Sequence, residues 1–348
     1  MARSTNLIVP EILEQEMLRQ SAEKIDLFNA ASLGTITLAD NPAFQALNGG
    51  DEHKNVRIKR PASLVTAMDL TTPAGTASTV ALAQGSGLGV VWKGKIGPAV
   101  YTDDEVLQGA KTPEDYSVAV AELFASERLL KIRNLLLAAA VAAIDSADTS
   151  DGSTASANIH VKDVSAGKVS VARAKATRAY INATLAKMGD ARDRIRTIVM
   201  RSEVESDLFA EALTSFPALE TAAGQLLRVG DQALFGKKVL VADAAGMRSA
   251  LTSSYYTGFS TLGLGVGALS ATIVHSGPVE VQRIITTEVP YTMVRQDFSV
   301  LFRIAGMKWI TTTVPTDALL ATAASWDEDY EDHRDCPIVK LVSNASVD

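Results

Sequence analysis

Apolar residues recur at spacings of three and four after Pro10, at Leu18, Ala22, Ile25 and Phe28, with Glu and Lys between them. That pattern predicts an amphipathic helix entered through a first-turn proline. From Ser32 to Gly50 the period is lost, and Asn41-Pro42 and Asn48-Gly49-Gly50 mark turns, so an arm is expected rather than more core. Asn55 to Lys111 has no helical period either. Its short extended runs, 56–60, 79–83 and 90–96, are punctuated by Pro61, Pro73, Gly75, the Gly85/Gly87/Gly89 series and Gly97-Pro98, the pattern of a long hairpin-like excursion. A stretch this long without a clean hydrophobic face is a poor core element, and such loops are usually functional.

Thr112-Pro113-Glu114-Asp115 then supplies a capping hydroxyl, a first-turn proline and two acids for the positive end of a helix dipole. The stripe Val120, Phe124, Leu130, Leu137, Val141 and Ile144 carries that helix to Asp145-Ser146, a spine of unusual length over 113–145. A second helix is expected from about Lys168 to Met188, ended by Gly189. Ile195 to Met200 reads as a strand, Ser202-Glu203-Val204-Glu205 as the start of a helix reaching Leu213, and Val239 to Ala242 as a buried strand. Beyond Ala268 the period becomes two, with Phe298, Val300, Phe302 and Ile304 on one side and Ser299, Leu301 and Arg303 on the other. Spine helix, mixed middle and terminal strands make an α+β chain.

Composition narrows the chemistry. With 348 residues and 47% apolar content the chain can bury a large core. Cys336, its one cysteine, can form neither an internal disulfide nor a structural zinc site. A net charge of -7 argues against a surface built wholly to grip nucleic acid. The longest apolar run, Leu135 to Ile144, is too short to span a membrane, and no membrane partner is expected. Gly263, Gly265 and Ala268 satisfy a loose G-x-G-x-x-A but lack the strand before and helix after that a dinucleotide site needs, so a flexible loop is expected there. His333 and Cys336 make only half a metal site, and no G-x-S-x-G elbow is present. No catalytic site and no cofactor are therefore expected. The charges are polarised: Trp326 to Asp335 sums to -5 and Lys162 to Arg201 to +7. Either the two faces are independently solvated, or Arg173, Lys175 and Arg178 meet Asp327, Asp329 and Asp332 between subunits, or the basic side faces nucleic acid.

In order, the arm, the extended loop with Gly97-Pro98 before Tyr101-Thr102, the helix entered through Thr112-Pro113, Lys187-Met188-Gly189-Asp190 leading to Ile198 through Ser202, Val239 to Asp243, and Pro315 through Ala321 with Trp326 resemble tailed-bacteriophage major capsid proteins with the Hong Kong 97 fold. The resemblance implies a Hong Kong 97-like arrangement: an N-terminal arm (1–50), an extended loop (51–103), a peripheral domain with the spine (104–194), an axial domain (195–287) and terminal strands of the peripheral domain (288–348). It implies a head protein that assembles through hexamers and pentamers into an icosahedral virion shell around double-stranded DNA, in the bacterial host cytoplasm. Portal, scaffold and decoration proteins are implied as partners; the short arm favours a separate scaffold or none. An encapsulin-like compartment shell stands as the alternative within the fold, and a cytosolic nucleotide-dependent enzyme as the alternative outside it. Within the loop, Arg57, Lys59, Arg60, Trp92, Lys93 and Lys95 are the expected contacts with a neighbouring subunit, Trp92 as anchor and the lysines at the rim.

Overall fold

The computed structural model describes residues 8–40, 52–58, 84–102, 112–147, 160–164, 175–215, 233–248, 258–285, 290–330 and 332–344. Helix α1 (Pro10–Ser32) opens on Pro10 as expected, but its buried side runs through Leu13, Met17, Ser21 and Ile25. Of the expected stripe, Ile25 is buried and Phe28 packs against the core, whereas Leu18 and Ala22 face outward one position away from the buried Met17 and Ser21. The helix ends where Leu33 and Gly34 turn left-handed, and the chain continues into strand β1 (Ile36–Asp40).

Strands β2 (Glu52–Ile58) and β3 (Gln84–Thr102) pair antiparallel, from Glu52 opposite Val90 to Ile58 opposite Gln84. Strand β3 then runs from Val90 to Thr102 along β11 (Tyr291–Ile304). One six-stranded sheet has the order β1-β9-β11-β3-β2, with β9 (Leu269–Ser276) beside β11 and β10 (Glu280–Ile284) also pairing β11. A second sheet has the order β4-β14-β8-β5-β7-β6, built from Val161–Asp163, Ile338–Ser343, Phe259–Gly265, Ile195–Met200, Lys237–Val241 and Ala233–Leu234 respectively. The sheets cut across the division at 195 and 287. Strands β4 and β14 join the second sheet from outside that range, whereas β9 and β10, inside it, belong to the first.

The spine is helix α2 (Pro113–Ala147), 35 residues long. The Thr112 hydroxyl accepts from Asp115 N at 3.2 Å, the cap that the sequence indicated. Its first half packs with α1: Val120, Ala121, Phe124 and Ala125 share a cluster with Leu13, Met17 and Val294. Its alanine-rich second half is buried on nearly all sides, in a core fed by Trp92, Phe298 and Phe302 from the first sheet and Leu262, Leu264 and Ile338 from the second. Alanine is what permits this approach. A Cβ built on Gly246, in the 3-10 turn Ala245–Met247, would lie 2.3 Å from the Ala138 Cβ, so neither position has room for more.

Helix α3 (Arg178–Ala186) is shorter than the Lys168 to Met188 expected. Among the described residues it begins only after Thr177, whose side chain accepts from Tyr180 N. Helix α4 (Ser202–Ser215) follows β5, and its first turn is held from elsewhere in the chain: Asp243 accepts from both Ser202 N and Ser202 Oγ at 2.9 Å. Gly263 and Gly265 are not in a flexible loop but inside β8. There a Cβ would meet Val339 and Pro337 at 2.7 Å, so the glycines serve close packing against β14 and its approach.

Candidate intersubunit surfaces

Strand β3 has two parts with different surroundings. From Val90 to Thr102 it is a strand of the first sheet, whereas from Gln84 to Gly89 its only strand partner among the described residues is β2. Leu88 still packs on the core and Gly89 lies against Phe302 and Arg303, so the hairpin becomes a two-stranded ribbon at residues 84–87. Two-stranded ribbons are marginal in water by themselves. Arg57 is described as backbone on β2; Lys59 and Arg60 lie outside the described residues.

Trp92 corrects the expectation placed on it. Its exposure is 7%, its ring lies edge-on to Phe298 with centroids 5.7 Å apart, and Phe302 is tilted against it at 6.3 Å. The side chain belongs to the subunit's own core and offers no anchor to a neighbour. The strand has a hydrophobic face after all, because β11 supplies Phe298 and Phe302 from a distant part of the chain. Lys93 and Lys95 alternate with it and are exposed, in line with a rim position.

Beside them runs a cleft of about 780 Å³, bounded by Trp92 to Ile96, by Glu127, Arg128 and Lys131 of α2, and by Pro315 to Ala318. Here the motif from Pro315 to Trp326 acquires physical content. Thr316 caps helix α5 (Asp317–Leu320) by accepting from Leu319 N, Asp317 pairs with Lys131, and the Trp326 indole donates to Leu320 O at 3.0 Å while stacking edge-on to Trp309 at 5.1 Å. Asp317 lies in the motif read from the sequence, but its pairing with Lys131 could not be read there, since nothing local connects residues 186 apart.

Arg128, also unanticipated, is 1% exposed and donates to Ser276 Oγ at 3.0 Å and Ser21 Oγ at 2.6 Å, tying α2 to α1 and β9. Burial pushes its guanidinium down to about 10, with Asp40 opposing, so it remains a cation at neutral pH.

Several residues of the polarised segments are partnered within the same chain. Lys175 pairs with Asp207 at 3.0 Å, and the Arg178 backbone N donates to Glu211 Oε2 at 3.0 Å. Asp327 pairs with Lys308 at 2.8 Å, and Asp332 accepts from Arg334 N at 2.9 Å. Asp329 is only 3% exposed, which removes it from any open surface. Arg173 lies outside the described residues. Where the segments do meet, the signs are the reverse of those expected: Arg334 of the acidic run pairs with Asp190 of the basic run at 3.2 Å, and Arg194 donates to Arg334 O at 2.9 Å. The local charge sums misled because β12 (Met307–Trp309) and α4, which lie outside the two runs, bring Lys308 and Asp207 to these residues.

His333 and Cys336 share one turn, in which Cys336 N donates to His333 O at 3.2 Å, but their side chains part. The His333 ring faces buried His160 at 6.2 Å, while Cys336 is buried against Gly306. Among the described residues no group of three or more His, Cys, Asp or Glu is placed to hold a metal ion, and no helix is long and apolar enough to cross a membrane.

Comparison with solved structures finds the same fold in the Cyanophage Pam1 capsid asymmetric unit, with 13% identity, a TM-score of 0.53, and coverage of 90% of this chain and 89% of that one. The capsid of Ralstonia phage GP4 is similar at 11% identity and a TM-score of 0.49, over 90% and 88% of the two chains. No curated protein matches the sequence. A family model described as major capsid protein 13-like matches residues 7–339, nearly the whole chain. The chain belongs to that family: it is a Hong Kong 97-like major capsid protein of a tailed bacteriophage, a structural component of the virion capsid.

Proposed function

We propose that the subunit builds its shell by laying the β2–β3 ribbon across a neighbour within hexamers and pentamers, and that the closed icosahedral shell encloses double-stranded DNA. The observation that carries this reading is the ribbon, in which residues 84–87, beyond the packed Leu88 and Gly89, have β2 as their one strand partner among the described residues. A neighbour's surface would complete its burial, with Lys93 and Lys95 at the rim of the contact. Repetition of one modest contact around every capsomer then supplies the stability of the whole. On this reading the block 195–287 contributes the axial elements and the spine with the first sheet the peripheral ones, with the exchange of strands described above. Portal, scaffold and decoration proteins are the further partners, packaged DNA lies on the inner face, and assembly takes place in the host cytoplasm. Nothing in the family match or the fold favours a cargo compartment or a nucleotide-dependent enzyme.

Negative-stain microscopy and sedimentation of the expressed chain test the reading. Closed particles, or hexamers and pentamers, are expected. A compact monomer at micromolar concentration, with residues 59–83 resistant to protease, would overturn it.

A further inference from the structure

His160 is 3% exposed and sits at the entry to β4, the outer strand of the second sheet. Its Nδ1 donates to Ile338 O at 2.9 Å, so the neutral ring carries its lone pair on Nε2, which has no hydrogen-bond partner among the described residues. Tyr330 lies edge-on at 5.5 Å and His333 at 6.2 Å. The same residue also holds the strand pair by its backbone: His160 O accepts from Lys340 N at 2.8 Å, and β4 continues with Val161 beside Lys340 and Asp163 beside Val342. Strand β4 is only three residues long, so this anchorage is a large part of what keeps it in place.

The charges that face the ring are of the wrong sign to welcome a second proton. His333 comes from the 3-10 turn His333–Asp335 and Lys187 from the end of α3, and both oppose a charge on His160. The nearby carboxylates are engaged elsewhere. Asp332 is 3.5 Å from His333 Nδ1 and accepts from Arg334 N, and Asp145 of α2 is paired with the Lys340 ammonium. A proton on His160 would therefore create a buried cation without a counter-ion, and opening of the cluster would relieve it.

We propose that His160, enclosed by Tyr330 and His333 and bonded to Ile338 O, is an acid-operated latch: neutral, it holds β4 and the 332–336 turn on β14, and protonated, it releases them. Desolvation, with His333 and Lys187, lowers the ring from an ordinary 6.5 to about 4. Release then becomes easier as pH falls below 6.5, by about 30-fold between pH 7.5 and pH 5, because the open form binds the proton that the closed form refuses.

Hydrogen exchange of the full-length chain from pH 7.5 to 4.5 tests this, with amide rates corrected for intrinsic pH dependence and C2 exchange of the imidazole reporting the His160 titration. In the parent, amides of 161–164 are expected to lose about 30-fold protection by pH 5. Protection of β11 should hold over the same range. His160→Asn keeps a donor for Ile338 O but cannot titrate, and its protection should stay flat. Equal acid loss in His160→Asn, or flat protection in the parent, overturns the latch. If the variant fails to fold at pH 7.5, the parent's C2 exchange decides: a titration well below 6.5, preceded by amide loss that begins near 6.5, supports the proposal, and one at or above 6.5 refutes it.

Discussion

Truncating Trp92 to alanine separates a residue that stabilises the subunit from one that anchors a neighbour. A buried indole removes roughly 200 Å² from water, worth about 5 kcal/mol at about 25 cal/mol per Å². Compactness of the unfolded chain and the retained Cβ reduce that, while loss of the edge contacts with Phe298 and Phe302 adds about 1 kcal/mol. The expected cost is roughly 4 kcal/mol, within the range for aromatic truncation in cores. Little relaxation can offset it, because the ring covers Gly94, whose position leaves only 2.3 Å between a built Cβ and the indole. Urea unfolding of unassembled subunits, followed by far-UV circular dichroism, should show the midpoint lowered by about 1 to 1.5 M for a slope near 3 kcal/mol per M. Lys93→Ala, at the exposed neighbouring position, should leave the midpoint where it is. If Trp92→Ala unfolds within about 0.2 M of the parent while particle yield collapses, the residue acts between subunits and the core assignment is wrong.

Gly246→Ala should destabilise the subunit by about 1 to 3 kcal/mol through overpacking against the spine, and Ala138→Gly should restore part of the loss in a double-mutant cycle because each position occupies the other's space. Replacing residues 61–81 with a short Gly-Ser linker spares the paired β2 and β3 segments, so subunit helix content should be unchanged while the particle melting temperature falls; equally heat-resistant particles would count against the ribbon as clasp. Breaking the Lys308–Asp327 pair by Lys308→Met should change subunit stability by less than about 1 kcal/mol, since both partners are about one-third exposed and screened by salt. Asp329→Asn, at a buried carboxylate, should cost more than the Lys308 change in the same unfolding assay, about 1 to 3 kcal/mol.

The spine was legible because every local signal agreed: the Thr112 cap, the proline at its first turn, two acids, and then an unbroken apolar period with no helix breaker before residue 147. The strand at Phe298 to Ile304 was legible for the same reason, and so was the family, since a succession of soft motifs keeps its order whatever the distances in space. The sequence could not show which faces meet. Ser21 lies on the buried side of α1 although it is polar, because Arg128 of the spine reaches it; Leu18 and Ala22, more apolar, point outward. Trp92 read as an exposed anchor because its own strand alternates with lysine and glycine, and only the pairing with β11 brings Phe298 and Phe302 across to bury it. The charge runs read as unneutralised because opposite charges were sought within each run, whereas Lys308 and Asp207 come from other elements. The buried His160 has no local signature at all: a histidine between a serine- and threonine-rich stretch and a short strand becomes a latch only where Tyr330, His333 and Ile338 close over it. Period and capping act over a few residues and are written in the chain in order, whereas burial and electrostatic pairing depend on which distant segments share a surface, and that was decided by the packing of two sheets around one long helix.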